Sequence, residues 1–322
     1  MNPTTLLVIA KPESGYLKAL DRLPKNTRMV VSSQPAMFDE LAPEADVLLN
    51  CMMPKALLRE VFLKAPNLRW VHSLSVGVEG LLFQELVESE VPLTNARGAF
   101  SRSLAEFVML GALFFDKKIP DMRQQQSEGR WVNMDVDEVY GKTLGIVSYG
   151  SIGQACAKLA KAFGMNVWAM RKRPEMSKDD PLVDRLFGLD GLREMMAGSD
   201  FVVVCTPLTP DSRGLVGAAE IAAMKSSAVF LNVGRGAVVD EDALVAALQQ
   251  GKIRGAALDV FATEPLPAGH PFYTMDNVLL SPHSADHTPG WVGHSMDIFI
   301  SNFERYRKGD PLDNIVNKKE GY

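Results

Sequence analysis

The sequence predicts an α/β protein built from two parallel-sheet domains. Short apolar segments of strand length alternate with segments of helical spacing, a pattern typical of parallel sheets covered by helices. A chain of 322 residues is long enough for two domains of ordinary size. Its composition, 47% hydrophobic and 23% charged, allows each domain to bury a core.

The N-terminal part of the chain contains the first alternating unit. The apolar segments 6–10, 47–49 and 70–71 are expected to be buried strands. Between the last two, residues 54–64 have helical spacing and begin with a proline, which is favoured in the first turn of a helix. The unit therefore predicts a parallel sheet.

A second alternating unit follows a long apolar helix. The helix is expected at 103–118, where Pro120 ends the pattern, and a polar arm follows at 124–131. A further helix is expected at 152–163, and the chain returns to a helix at 292–306. The strands of this unit are expected at 144–147, 166–170, 201–205, 228–232, 256–258 and 278–280.

Charge and composition exclude several classes of protein. The formal charge is −5 at pH 7, and the longest basic cluster, Arg171–Arg173, is too short to follow a nucleic-acid backbone, so we expect no nucleic-acid partner. We find no apolar run of membrane-spanning length and no signal peptide, so we expect no membrane partner. The scattered Cys51, Cys156 and Cys205 predict neither disulfides nor a zinc site, and favour a cytoplasmic protein.

The segment 148–153 is a candidate phosphate-binding turn. It joins a predicted strand to a predicted helix, and such turns place backbone N–H groups against a pyrophosphate. Two glycines of the usual three-glycine pattern are present, whereas Ser148 occupies the first position. On the motif alone, an ordinary strand–helix connection remains the alternative. The residues expected to bind the cofactor here are Gly150, Ser151, Ile152 and Gly153.

Arg235 is a candidate ligand-binding residue. It lies between two glycines directly after the strand 228–232, and Asp240 is expected to cap the next helix. Ligands of open α/β sheets bind at the carboxyl ends of such strands. A surface arginine in a loop is the alternative, but glycine neighbours leave the guanidinium unshielded.

Two further segments place a carboxylate and a histidine directly after predicted strands. Glu264 lies in the segment 259–267, and His283 lies in the segment 281–288. A single histidine is more often structural than catalytic. His283 and His287 have a spacing that could bind a metal, but the neighbouring sequence offers no third Cys or His, so we expect no metal site.

Taken in order, these segments resemble the D-isomer-specific 2-hydroxyacid dehydrogenase family. The resemblance runs from about Leu48 to the C-terminal Tyr322. Within the family, the chain is most similar to the NADPH-dependent glyoxylate/hydroxypyruvate reductase type. The motifs that carry the resemblance are Ser75-Val76-Gly77-Val78, the Gly150/Gly153 turn, Asn232-Val233-Gly234-Arg235-Gly236, Asp259-Val260-Phe261 with Glu264-Pro265, and Ser281-Pro282-His283.

The resemblance implies catalytic roles for three residues. His283 would protonate the carbonyl oxygen as hydride arrives, Glu264 would hold its imidazole, and Arg235 would bind the substrate carboxylate. The residues alone support this, because a 2-keto acid needs a cation for its carboxylate and a proton for its nascent alkoxide. The resemblance adds a substrate-binding segment composed of Ser75, Val76 and Gly77.

The resemblance also implies a nicotinamide cofactor. Asp259 would face the carboxamide, and Thr206 and Pro207 would line the adenosine side. Ser284 departs from the family pattern near the nicotinamide. The cofactor-binding residues expected besides the phosphate turn are Arg171, Lys172, Arg173, Thr206, Pro207, Val233, Gly234, Asp259 and Ser284.

The residues after strand 166–170 predict a preference for NADP, with NAD also possible. An acidic residue at this position binds both ribose hydroxyls and repels a 2′-phosphate. The resemblance places Arg171 where NAD-using members of the family usually carry Asp, and Lys172 and Arg173 follow. A solvated basic loop is the alternative interpretation.

The domain organisation follows from these assignments. We expect two Rossmann-like or flavodoxin-like parallel-sheet domains with an active-site cleft between them. The substrate domain is expected at 1–98 with 287–322, and the dinucleotide-binding Rossmann domain at 99–286. The helix 103–118 and the arm after it resemble the family's dimer interface and predict a homodimer. Simple burial of that helix in the core is the alternative.

The predicted reaction is reversible reduction of a small 2-keto acid to a D-2-hydroxy acid. The alternatives are an NAD-dependent D-2-hydroxyacid or phosphoglycerate dehydrogenase, and a cofactor-sensing corepressor without turnover. The intact Arg235, Glu264 and His283 favour an enzyme over a sensor. A formate-type dehydrogenase is disfavoured because that branch carries Gln where Glu264 stands.

Overall fold

A computed structural model describes residues 3–322. The chain divides into two compact units, of which the first runs to Ala99 and includes Pro289–Tyr322, and the second is Phe100–Thr288. Within residues 3–322, we find no helix that is both long and apolar enough to cross a membrane.

The first unit is a five-stranded parallel sheet of order β2-β1-β3-β4-β5. This is the strand order of flavodoxin-like sheets. Its strands are β1 (Thr4–Ile9), β2 (Thr27–Ser32), β3 (Val47–Asn50), β4 (Trp70–Ser73) and β5 (Leu93–Asn95). Its helices are α1 (Lys55–Lys64), α2 (Gln84–Glu88) and the C-terminal helix (Trp291–Lys308).

The central strands of this sheet are buried on both faces. Every residue of β1, β3 and β4 is buried, which is why these strands are visible in the sequence as continuous apolar runs. The C-terminal helix packs on the sheet, where Phe299 stacks on Trp70 with ring centroids 5.4 Å apart. The strands β2 and β5 were not predicted, because β2 is only partly buried and β5 has only 3 residues.

The second unit is a seven-stranded parallel sheet of order β12-β11-β10-β9-β6-β7-β8. The prediction of two parallel-sheet α/β domains is therefore confirmed. Its strands are β6 (Thr143–Val147), β7 (Asn166–Met170), β8 (Arg185–Phe187), β9 (Phe201–Val204), β10 (Val229–Asn232), β11 (Gly255–Leu258) and β12 (Val278–Leu280). Its helices are α3 (Ser101–Asp116), α4 (Ile119–Ser127), α5 (Ser151–Ala162), α6 (Leu192–Gly198), α7 (Ala218–Ala223) and α8 (Glu241–Gln249).

The strand order reverses at the centre of this second sheet. From β6 the chain moves outwards through β7 and β8, then returns to place β9 on the other side of β6. Connections leave the carboxyl ends of β6 and β9 in opposite directions, which opens a crevice between them. The phosphate-turn candidate follows β6, so the fold places it at this crevice.

The polar arm differs from the prediction. Residues 119–127 form the helix α4, which begins after Lys118 adopts a left-handed conformation with φ of 52°. Pro120 therefore does not simply end the preceding helix, since α3 ends at Asp116 and the proline lies in the first turn of α4. The helices α6 and α7, with 7 and 6 residues, were not predicted because so few residues carry little periodicity.

Candidate active site

The turn after β6 combines an open glycine with a tightly packed one. Gly150 is the N-cap of α5, and a Cβ added to it would meet no atom of residues 3–322 within 4 Å. At Gly153, an added Cβ would lie 2.9 Å from the Ser148 carbonyl oxygen. Because glycine cannot cap a helix with a side chain, the first N–H groups of α5 are left for a ligand. The turn therefore fits a dinucleotide pyrophosphate.

Ser148 makes the tight turn in a strained backbone conformation. Its φ is 77°, in the left-handed region that favours glycine. Its N–H donates to the Met170 carbonyl at 3.1 Å, which ties the turn to the end of β7. The turn therefore forms with serine in place of the first glycine, at the cost of local backbone strain at Ser148.

The basic residues after β7 are held by hydrogen bonds. The Nη1 atom of Arg171 donates to the Ser177 hydroxyl at 2.7 Å, and Ser177 is buried. The Nζ atom of Lys172 lies 3.1 Å from the Oδ2 atom of Asp211, in the connection after β9. Arg173 is the N-cap of a short 3-10 helix, Pro174–Ser177. The predicted ribose-side cations thus lie in an ordered connection.

The connections after β9 and β10 approach each other closely. The Thr206 hydroxyl donates to the Val147 carbonyl at 3.2 Å, which links the ends of β9 and β6. A Cβ added to Gly234 would lie 2.7 Å from the Thr206 carbonyl oxygen. The residue after Val233 must therefore be glycine. The predicted residues Thr206, Pro207, Val233 and Gly234 lie along this edge of the sheet.

Arg235 follows β10 in a turn held by Asn232. The Asn232 side chain accepts from the Gly234 N–H at 3.0 Å and donates to the Arg235 carbonyl at 3.3 Å. The Arg235 side chain is half-buried, and its Nη1 atom donates to the Gly234 carbonyl at 2.8 Å. No separate role of Asn232 was predicted from the sequence. A polar residue at the buried end of a strand is the signal that could have revealed its turn-holding function.

Glu264 and His283 are in direct contact. The Nδ1 atom of His283 lies 2.7 Å from the Oε2 atom of Glu264. The other Glu264 oxygen accepts from the Phe261 N–H at 2.9 Å. Both side chains are partly exposed, and Nε2 is the imidazole nitrogen outside this contact. The pair can hold a proton-transfer group in a fixed orientation.

Asp259 organises the loop that carries His283. Its side chain is buried, and its Oδ1 atom accepts from the Ser281 hydroxyl at 2.6 Å, the Ser284 N–H at 2.8 Å and the Ala285 N–H at 3.0 Å. The Asp259 carbonyl accepts from the His283 N–H at 2.9 Å. This positioning role was not assigned from the sequence, because it joins residues that are far apart along the chain.

Two further acidic residues near this loop were also missed. Glu241 accepts from the Ala262 N–H at 2.9 Å and so supports the segment that carries Glu264. Burial raises the pKa of Asp286; the charge of His287 opposes that rise, and the charge of Asp259 adds to it. Neither feature has a sequence signal, because an acidic residue such as Glu241 is ordinary in the first turn of a helix and Asp286 is an ordinary acidic loop residue.

The predicted segment Ser75–Val76–Gly77 belongs to the first unit, where it follows β4. The Ser75 N–H donates to the Ser73 hydroxyl at 3.1 Å, and the Val76 carbonyl accepts from the Asn95 side chain at 2.6 Å. Ser75, Val76 and Gly77 are half-buried. Across residues 3–322, the His, Cys, Asp and Glu side chains form no group of three or more that could hold a metal ion.

Comparison with known proteins gives consistent matches over both units. Residues 109–285 match the family described as D-isomer specific 2-hydroxyacid dehydrogenase, NAD binding domain. The chain is 36% identical over 266 residues to glyoxylate/hydroxypyruvate reductase B of Salmonella newport, covering 80% of this chain and 81% of that protein. It is 35% identical over 280 residues to D-3-phosphoglycerate dehydrogenase of Methanocaldococcus jannaschii, covering 86% of this chain but only 53% of that protein.

A solved structure agrees with these sequence matches. The D-isomer specific 2-hydroxyacid dehydrogenase from Xanthobacter autotrophicus Py2, in complex with NADPH and MES, superposes with a TM-score of 0.84. It is 31% identical, and the match covers 99% of this chain and 100% of that chain. The likeness therefore extends over the whole length of both proteins.

Proposed function

Because the chain belongs to the D-isomer-specific 2-hydroxyacid dehydrogenase family, we propose that it reduces a small 2-keto acid to a D-2-hydroxy acid. It is an NAD(P)-dependent oxidoreductase of that family, and glyoxylate and hydroxypyruvate are the proposed types of substrate. The observation that carries the proposal is the 2.7 Å contact between His283 and Glu264, on connections that follow neighbouring strands of one sheet.

The proposed role of His283 is to deliver a proton to the substrate carbonyl oxygen. Glu264 occupies Nδ1, so Nε2 is the nitrogen from which the proton leaves. The Glu264 carboxylate also stabilises the charged imidazole before transfer, and its backbone contact with Phe261 fixes its direction. When bound, the reduced nicotinamide supplies the hydride that the same carbonyl receives at carbon.

The proposed role of Arg235 is to bind the substrate carboxylate. A planar guanidinium can donate two parallel hydrogen bonds, which orients a carboxylate more firmly than a single ammonium does. Asn232 fixes the backbone on which Arg235 stands. The N–H groups of Val76 and Gly77, in the segment that begins at Ser75, remain a predicted second contact for this carboxylate.

The cofactor is proposed to be NADPH in preference to NADH. The open backbone at Gly150 and the first turn of α5 suit the pyrophosphate, and Asp259 and Ser284 are proposed to lie near the nicotinamide. Arg171, Lys172 and Arg173 supply positive charge where a 2′-phosphate would bind. The related Xanthobacter structure contains NADPH, which supports the same choice here.

A homodimer is proposed from the exposed apolar surface of the second unit. Gly111 packs one face of α3 against Leu231, so the alternative of core burial accounts for that face only. Leu110, on another face, is 52% exposed, and Trp131 beyond α4 is 95% exposed. A large, solvent-exposed tryptophan favours an interface with a second copy of the chain.

The test measures NADPH consumption by the loss of its absorbance. The substrates to compare are glyoxylate, hydroxypyruvate, pyruvate and 3-phosphohydroxypyruvate. We expect turnover with the small keto acids, and formation of the D-isomer from hydroxypyruvate and pyruvate, whose products are chiral. Preference for the phosphorylated substrate would instead identify a phosphoglycerate dehydrogenase. Cofactor binding without turnover of any 2-keto acid would overturn the proposal in favour of a cofactor-sensing protein. Size-exclusion chromatography with light scattering tests the homodimer.

A further inference from the structure

Tyr149, the second residue of the phosphate turn, has a buried side chain that contacts the connection after β7. Its hydroxyl donates to the Oδ2 atom of Asp180 at 3.1 Å, and Asp180 Oδ1 accepts from the Leu182 N–H at 3.0 Å. The Tyr149 N–H donates to the Met170 carbonyl at 3.0 Å. Tyr149 is therefore fixed at its backbone and at its hydroxyl.

The segment 171–182, which we name the specificity segment, is held at its start and at Asp180, near its end. At its start, the Arg171 N–H donates to the Phe187 carbonyl at 3.1 Å. In its middle, Ser177 accepts from Arg171 Nη1 at 2.7 Å, and the Ser177 carbonyl accepts from the Asp180 N–H at 3.2 Å. Arg171, Ser177 and Asp180 thus form one chain of hydrogen bonds that ends at the Tyr149 hydroxyl.

The Tyr149 hydroxyl remains protonated and acts as a donor. Burial raises the pKa of Tyr149, and the hydrogen bond to Asp180 raises it further. The charge of Arg171 acts in the opposite direction, which places Arg171 within electrostatic reach of the same hydroxyl. The negative Asp180 and the positive Arg171 are therefore ordered around one buried tyrosine.

We propose that Tyr149 is a positioning residue for coenzyme choice, which holds the specificity segment so that Arg171 can receive a 2′-phosphate. This rests on the proposed preference for NADPH. A segment that is ordered before binding loses less conformational freedom when the phosphate arrives, so affinity rises without a new contact. Because the tie begins in the pyrophosphate turn, it also fixes the spacing between the two phosphate subsites. NADH has the pyrophosphate but no 2′-phosphate, so it gains less from this order.

The test compares Tyr149→Phe with the wild type by titrating each reduced cofactor and following dihydronicotinamide fluorescence. Loss of the hydrogen bond from the Tyr149 hydroxyl to the Asp180 carboxylate should weaken NADPH binding about three- to tenfold, because only part of its free energy reaches the cofactor, with a smaller effect on NADH. Tyr306→Phe is the matched control, since it removes a half-buried tyrosine hydroxyl from the first unit, and it should leave the NADPH-to-NADH ratio unchanged. The double variant Tyr149→Phe with Asp180→Ala should weaken NADPH binding little more than either single change, because both remove the same hydrogen bond.

The outcomes separate this inference from the proposals on which it rests. A wild type that binds NADH as tightly as NADPH contradicts the cofactor preference itself. A wild type that prefers NADPH without turnover contradicts the proposed reaction, but the titration still measures the role of Tyr149. If Tyr149→Phe weakens the binding of both cofactors equally, or weakens neither, the ratio of their affinities is unchanged. The tyrosine would then be merely structural, and the inference would be overturned.

Discussion

The Nδ1 atom of His283 lies 2.7 Å from the Oε2 atom of Glu264, and each partner is held from behind by backbone contacts. Glu264 accepts from the Phe261 N–H, and His283 donates its own N–H to the Asp259 carbonyl. His283 also has a φ of 51°, so a left-handed backbone aims the imidazole at the carboxylate. The geometry is that of an oriented proton-transfer pair.

Replacing His283 with Ala should therefore reduce turnover by about 10²–10⁴-fold, the usual contribution of a positioned acid. Cofactor affinity should change little, because the proposed role of His283 is in proton transfer. Steady-state kinetics and a cofactor titration measure the two effects. His294→Ala is the control, since His294 is exposed on the C-terminal helix. Near-normal turnover of His283→Ala would remove His283 from the mechanism.

Replacing Arg235 with Lys should raise KM for the keto acid and lower kcat together. Lysine keeps the positive charge but loses the planar pair of donors that orients a carboxylate. Arg254→Lys is the comparison, because Arg254 is also partly buried in the second unit, where it pairs with Asp116 at 3.0 Å. If Arg235→Lys weakens only cofactor binding, Arg235 belongs to the cofactor site.

Ser148→Gly should stabilise the second unit by about 0.5–1 kcal/mol, because glycine adopts a positive φ without steric cost. Ser148→Ala is the matched control, since it removes the hydroxyl but keeps the Cβ that causes the strain at a φ of 77°. Denaturant unfolding of the three proteins measures the difference. Equal stabilisation by alanine would mean that the hydroxyl, and not the backbone conformation, is unfavourable.

The first unit should lose stability in acid because of His72. Burial lowers the pKa of His72 to about 3 from the ordinary value of 6.5, and its Nδ1 atom lies 2.7 Å from the Thr94 hydroxyl. Between these two pH values the unfolded chain binds a proton that the folded chain does not. Stability is therefore retained above the upper value, and falls by about 1.4 kcal/mol for each pH unit below it.

Denaturant unfolding, monitored by tryptophan fluorescence to which the buried Trp70 contributes, measures this effect between about pH 6 and pH 4. His72→Phe should show a shallower decline, because its side chain does not titrate. His294→Phe controls for the loss of an exposed histidine. Parallel curves for the wild type and His72→Phe would show that His72 does not determine the acid sensitivity.

Features that depend on residues close together in the chain could be predicted from the sequence. The continuous apolar strands, the phosphate turn, and the motifs around Arg235, Glu264 and His283 predicted both sheets and the family, and the family resemblance is confirmed. The hydrogen bonds of Asp259 and Tyr149 were not predictable, because they join residues that only the fold brings together. The short strand β8 was missed because 3 residues carry no clear period.

Arg171→Asp should shift the preference from NADPH towards NADH. An aspartate directly after β7 can accept from both ribose hydroxyls and repels a 2′-phosphate, whereas Arg171 offers a guanidinium already oriented by Ser177. A charge-assisted hydrogen bond contributes roughly 1.5–3 kcal/mol, so the loss of one contact should change the preference by about 10–100-fold.

The measurement is kcat/KM for each cofactor at a fixed keto-acid concentration. Lys178→Asp is the matched control, because it makes the same change in charge at an exposed position of the same segment. That variant should retain most of the NADPH preference, since long-range charge effects at the surface are screened by salt. If Lys178→Asp shifts the preference as far as Arg171→Asp does, net charge rather than a specific contact selects the cofactor. Equal or better use of NADH by the wild type would show that the basic residues after β7 do not bind the 2′-phosphate.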